Sequence, residues 1–213
     1  MDRITTLDEL ASLRSATAWI KAPALTEASL ERKNVLVQFW MFTCINWLRT
    51  LPYIPAWAEK YRNAGLVVLG VHAPEFVFER SLENVRRSAA DMKVDYPVAI
   101  DNDFAIWRAF GNQYWPALYL LDGKGRVRRR HFGEGEYADI EKEIQQLLIE
   151  AGARNVDRQI SSVAGRGIEA AADWPMGPPT GGRPVAVSRA ARRTDAGFVA
   201  RRRSRRPGNG RRQ

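Results

Sequence analysis

The sequence predicts an α/β fold, a sandwich built on one mixed β-sheet. Three observations predict it. Short apolar, β-branched runs alternate with longer segments of helical character, the pattern of strand and helix layers. Asp122-Gly123-Lys124-Gly125 then separates two strand-like runs, a hairpin signal that makes the sheet mixed. An amphipathic segment over residues 137–150 closes the pattern.

Taken in order, residues 1–30 form a leader, with a short helix around 7–14 and an extended piece over 19–25. Residues 35–40 are apolar on both faces, as in a covered strand. Residues 46–63 read as a helix, kinked or broken near Pro52 and Pro55, since proline removes an N–H and clashes with the preceding turn. Gly65 closes it, and 66–72 is a second buried strand. Residues 76–92 read as one helix with Phe78, Leu82, Val85 and Ala89 on one face. A short strand over 96–100 follows. Asp101-Asn102-Asp103 can cap a helix over 104–110. Residues 117–121 form a strand, and 126–132 return as an edge strand. Gly133 and Gly135 break it, and Gly152 ends the last helix.

The net charge is +9, with 33 basic and 24 acidic residues. Eleven arginines and a single acid, Asp195, fall in residues 175–213, so residues 1–174 hold 22 basic and 23 acidic groups and are near neutral. Any argument from charge therefore concerns the tail alone. The chain has one cysteine, which excludes an intramolecular disulfide and a cysteine-based zinc site within one chain. No run of about 18 apolar residues marks a membrane span. The N-terminus lacks an apolar stretch of signal-peptide length, so the chain reads as cytoplasmic as written, unless the start site is misassigned.

That cysteine, Cys44, follows the strand over 35–40 and precedes a helical stretch. A strand that delivers a thiol to a helix N-terminus favours the thiolate, because the free N–H groups and the dipole there stabilise negative charge. Around it stand Trp19, Pro23 and Leu25, then Val35-Leu36-Val37-Gln38-Phe39-Trp40, Thr43-Cys44-Ile45-Asn46 and Leu48-Arg49-Thr50-Leu51-Pro52. Further on come Gly70-Val71-His72-Ala73-Pro74-Glu75-Phe76, Tyr96-Pro97, Asp101-Asn102-Asp103, Tyr114-Trp115-Pro116-Ala117 and His131-Phe132-Gly133-Glu134-Gly135. In these features residues 18–152 resemble the thioredoxin superfamily, and within it the TlpA-like and DipZ-type domains (redoxins). The resemblance implies a three-layer sandwich with a central mixed sheet and thiol-disulfide oxidoreductase chemistry. It implies no cofactor and no metal.

The chain departs from the family pattern at its centre. The family motif is Cys-x-x-Cys, and here Trp47 stands where the second cysteine is expected. A second thiol normally resolves the mixed disulfide formed by the first. With one thiol, an external thiol such as glutathione has to complete the cycle. The peroxiredoxin pattern, with a threonine three residues before the cysteine, is not met, because position 41 is Met.

The candidate catalytic residues are Cys44 and Glu75, the latter because an acid at the matching position in TlpA-like relatives lies near the thiols. Glu75 also reads as a solvated residue at a helix start. Trp40, Thr43, Trp115 and Pro116 are candidates for substrate binding. The resemblance makes Pro116 a cis-proline that presents backbone to an extended substrate; core packing alone would also explain Trp40 and Trp115. Trp47 either shields Cys44 or occludes the groove. His72 reads as a hydrogen-bonded histidine at the core edge in preference to a base.

The domain layout is a leader over 1–30, a thioredoxin-like domain over 31–152, and a linker with a disordered Arg/Gly/Pro-rich tail over 153–213. DipZ-type proteins commonly continue into a β-rich module. This chain instead turns abruptly to Pro, Gly, Ala and Arg near residue 175, the mixture produced by out-of-frame reading of GC-rich DNA. The arginines could bind polyanions nonspecifically, but no specific nucleic-acid motif is present. The expected function is that of a single-cysteine redox protein acting on disulfide-bearing or oxidised-thiol partners, resolved by an external thiol reductant. The alternative is a redox-inactive peptide- or protein-binding module. Relatives in the resembled family are often exported or membrane-tethered.

Overall fold

The computed structural model describes residues 8–163. The chain divides into two units, Met1–Ala172 and Asp173–Gln213. The second unit, and with it the expected basic tail, lies outside the described residues. The strands are β1 (Ala18–Ile20), β2 (Asn34–Trp40), β3 (Leu66–His72), β4 (Val98–Ile100), β5 (Ala117–Leu121) and β6 (Val127–Phe132). They form one sheet in the order β1-β4-β3-β2-β5-β6. The helices are α1 (Asp8–Ala11), α2 (Glu27–Leu30), α3 (Ile45–Leu48), α4 (Ile54–Lys60), α5 (Leu82–Asp91), α6 (Ala105–Ala109) and α7 (Tyr137–Glu150).

β2 takes the centre and is buried along its whole length. It pairs in parallel with β3 and antiparallel with β5. Successive side chains of a strand point to opposite faces, so an apolar run without alternation feeds two cores at once. Leu36 and Trp40 join Val68, Leu118 and Leu120 under α4, α5 and α7. Val35, Val37 and Phe39 join Leu69, Val71 and Tyr119 under α1 and α6. These are the three layers the resemblance implied. Gln38 is polar and fully buried, but satisfied: it donates to Thr50 Oγ1 and accepts from Tyr96 Oη, both at 2.8 Å.

Two parts of the sequence reading are met and a third is not, each for a local cause. The extended piece near Trp19 is a paired edge strand, β1, with Trp19 opposite Ala99. The helix expected over 46–63, kinked or broken near Pro52 and Pro55, is indeed broken there: α3 ends at Leu48 and α4 starts at Ile54, with Pro55 in its first turn, where its missing N–H is harmless. The helix expected over 76–92 is a 3₁₀ turn, Val77–Arg80, followed by α5. Ser81 separates them, its hydroxyl accepting from the Asn84 N–H at 3.4 Å. The break takes Phe78 off the core face and leaves it 52% exposed.

The packed body also continues past α7. Glu141 on α7 is buried, and its carboxyl group accepts from Tyr61 Oη at 2.6 Å and Lys60 Nζ at 3.0 Å. It accepts as well from the Ser161 N–H at 2.8 Å and hydroxyl at 2.7 Å. Lys60 also donates to the Gln159 carbonyl. Burial alone would raise the Glu141 carboxyl, yet hydrogen bonds from Tyr61, Ser161 and Lys60 hold it below its ordinary value. Residues 157–161 are thereby tied to α4 and α7.

Candidate active site

Strand direction decides where the site lies. β2 and β3 end at the same edge of the sheet, with Trp40 opposite His72. β5 runs against β2 and begins there, with Ala117 opposite Phe39. Three segments therefore meet at one edge: residues 41–44 after β2, residues 73–79 after β3, and Trp115-Pro116 before β5. In open α/β sheets, ligands bind at the carboxyl ends of the strands.

Cys44 closes the first segment. Its N–H donates to the Met41 carbonyl at 3.2 Å, and its carbonyl accepts from the Leu48 N–H at 3.1 Å. It occupies the N-cap position of α3. The thiol is free and the residue is 9% exposed. Trp47, where a second thiol was expected, has no exposed surface. Its ring stacks on Trp40 at 4.3 Å and 20°. The indole thus belongs to the core and does not lie across the groove. Gly70 makes room for the stack, since a Cβ there would stand 2.8 Å from Trp40 Nε1.

The other candidates separate clearly. Trp40 is fully buried and supports the edge from beneath. Trp115 is half-buried, and its Nε1 donates to the Ala73 carbonyl at 3.1 Å. Ala73 N–H in turn donates to the Trp40 carbonyl at 3.1 Å, so this segment ties β2 to the turn before β5. The Trp115–Pro116 bond is cis. Pro116 is buried, and its carbonyl accepts from the Gly133 N–H at 2.8 Å.

Glu75 and Thr43 are exposed. The Glu75 N–H donates to Glu79 Oε2 at 2.8 Å. Glu79 is fully buried and was not singled out by the sequence reading. The signal for it was its position three residues after Phe76, the spacing at which a glutamate reaches back to an N-cap N–H. The contact is made, Phe76 N–H to Oε2 at 3.1 Å. Oε1 accepts from the Thr43 hydroxyl at 2.8 Å, beside Cys44.

His72 corrects its expectation. It is fully buried, and neither ring nitrogen has a hydrogen-bond partner in another residue. Trp40 meets its ring edge-on at 4.9 Å and Phe42 stacks on it at 5.7 Å. Burial pushes it down to about 4, against the opposing influence of the Glu79 carboxyl group. It is a neutral ring in an aromatic cage. Phe42 also contacts Phe78, which stacks on Phe76, so an exposed aromatic pair adjoins the loop carrying Cys44.

No family model matches the chain. It is 42% identical over 142 residues to protein DipZ of Mycobacterium bovis, an alignment covering 65% of this chain and 20% of DipZ. The chain thus spans about a fifth of that relative's length. It is 28% identical over 138 residues to the thiol-disulfide oxidoreductase YkuV of Bacillus subtilis, covering 65% of this chain and 93% of YkuV. The solution structure of a thioredoxin-like protein in the oxidized form superposes with a TM-score of 0.57 at 28% identity, over 63% of this chain and 90% of the other. The fold is thioredoxin-like. Its homologues include DipZ and TlpA/ResA-like thiol-disulfide oxidoreductases, and they support thiol redox function in general terms. Among the described residues, no group of His, Cys, Asp and Glu is placed to hold a metal ion. No helix among them is long and apolar enough to cross a membrane.

Proposed function

We propose that this protein is a thioredoxin-like thiol redox protein that works through Cys44 alone. The observation that carries the reading is the convergence at one sheet edge of the free Cys44 at the start of α3 with the Trp115–Pro116 segment that leads into β5. The Cys44 thiolate attacks one sulfur of a partner disulfide, forms a mixed disulfide and expels the other sulfur as a thiolate. Trp47 offers no thiol to resolve that adduct. An external thiol, itself deprotonated, then attacks the partner's sulfur, forms a new disulfide with it and returns Cys44 as a thiolate. Partners are proteins bearing a disulfide or an oxidised thiol, and the backbone beside Pro116 positions them.

The burial of Cys44 favours a second reading, a redox-inactive module that holds peptides along the same edge. Exposure of the native protein to oxidised glutathione, followed by mass analysis, separates the two. An adduct on Cys44 that added reduced glutathione removes supports the single-thiol cycle. A thiol that reacts only after unfolding in urea overturns it in favour of the binding module.

A further inference from the structure

We propose that Glu79 is a positioning residue for Cys44: its carboxyl group clamps Thr43 to the segment after β3 and holds the thiol loop closed. The inference rests on the single-thiol reading in that Cys44 is the group positioned. Glu79 is fully buried, and its oxygens meet four donors. Oε1 accepts from the Thr43 hydroxyl at 2.8 Å and, at 3.4 Å, from the Thr43 N–H. Oε2 accepts from the N–H groups of Glu75 at 2.8 Å and Phe76 at 3.1 Å.

A glutamate that only caps a turn serves the N–H groups at the start of that turn. This one is buried and commits one oxygen to a residue 36 positions earlier in the chain. Burying a carboxyl group is unfavourable unless its lone pairs are matched, and donors from both segments match these. Phe42 reinforces the clamp, its ring lying between His72 of β3 and Phe78 of the same 3₁₀ turn. The residue next to Cys44 is therefore anchored to the chain that follows β3. Glutamine cannot replace Glu79 fully, because its NH₂ group would face two donors on one side.

The test compares Glu79→Gln, Thr43→Val, the double variant and Thr43→Ser in the full chain. Two quantities are read for each: the iodoacetamide alkylation rate of Cys44 in native buffer, and global stability by urea unfolding. Glu79→Gln and Thr43→Val are each expected to raise the alkylation rate about tenfold, the factor set by losing one hydrogen bond to a carboxyl group. The rise is expected in excess of any change in the unfolded fraction. The double variant is expected to fall well short of the product of the two single effects, because both act on the same clamp, and Thr43→Ser to keep the parental rate. Unchanged rates, or rates that follow the unfolded fraction, overturn the proposal. If Glu79→Gln does not fold, Thr43→Val decides, since it leaves the bonds to Glu75 and Phe76 in place. Alkylation needs no disulfide substrate, so a Cys44 inert toward oxidised glutathione overturns the single-thiol reading while these rates still decide the clamp.

Discussion

Replacing His72 with phenylalanine is expected to flatten the acid side of the protein's stability curve. The ring sits in a cage of Trp40 and Phe42 with neither nitrogen bonded to another residue, and burial lowers its proton affinity from 6.5 to about 4. The native state therefore refuses a proton that the unfolded chain accepts. Stability from this group is fully present above about pH 6.5, falls as the pH drops toward 4, and falls no further below that. The full difference of about 2.5 pH units corresponds to roughly 3 kcal/mol, of which about 2 kcal/mol is gone by pH 5. Phenylalanine keeps the aromatic contacts and removes both ring nitrogens. Urea unfolding followed by tryptophan fluorescence at pH 7, 5 and 4, for the parent and His72→Phe, isolates the effect, because every other titrating group is common to both. The parent is expected to lose about 2 kcal/mol more than the variant between pH 7 and 5. Parallel losses in the two proteins would refute the reasoning.

Three further outcomes follow from the packing. Gly70→Ala pushes a methyl group into Trp40 Nε1, 2.8 Å from the Cβ position, in a fully buried stack that cannot swing aside; a loss of about 1–3 kcal/mol by urea unfolding is expected, with a weakened near-UV tryptophan signal. Tyr96→Phe strips Gln38 Oε1 of its donor in the core and is expected to cost about 1–3 kcal/mol, whereas Tyr96→Phe combined with Gln38→Leu is expected to recover part of that. Glu141→Ala leaves Lys60, Tyr61 and Ser161 without their shared acceptor; a loss of about 3 kcal/mol is expected, and amide exchange at Ser161, read by hydrogen-exchange mass spectrometry, is expected to speed up well beyond that of β2.

Much of the fold was legible in the sequence because burial leaves a local mark. β3, β5 and α7 occupy the expected residues 66–72, 117–121 and 137–150. Each is a run whose own period records what covers it. β1 carries no such mark: three residues are too few for a period, and it becomes a strand only through pairing with β4. Residues 157–161 have no period either, and Lys60 of α4 and Glu141 of α7 hold them. For Phe78, the helical period pointed to the core. A serine cap at Ser81 overrode it by restarting the helix in a new phase.

At the site, the chain itself determined the chemistry available: one thiol at Cys44, none at position 47, and a Trp115-Pro116 step ahead of a buried strand. No arrangement of the backbone can add a resolving cysteine. Only the tertiary structure decided which carboxyl group reaches Thr43 beside that thiol. Glu75 and Glu79 lie in the same short segment and are alike in composition, yet one is exposed and the other fully buried. The difference arises because the 3₁₀ turn after Phe76 brings Glu79 inward to Thr43, a contact between residues far apart in the chain that no local pattern encodes.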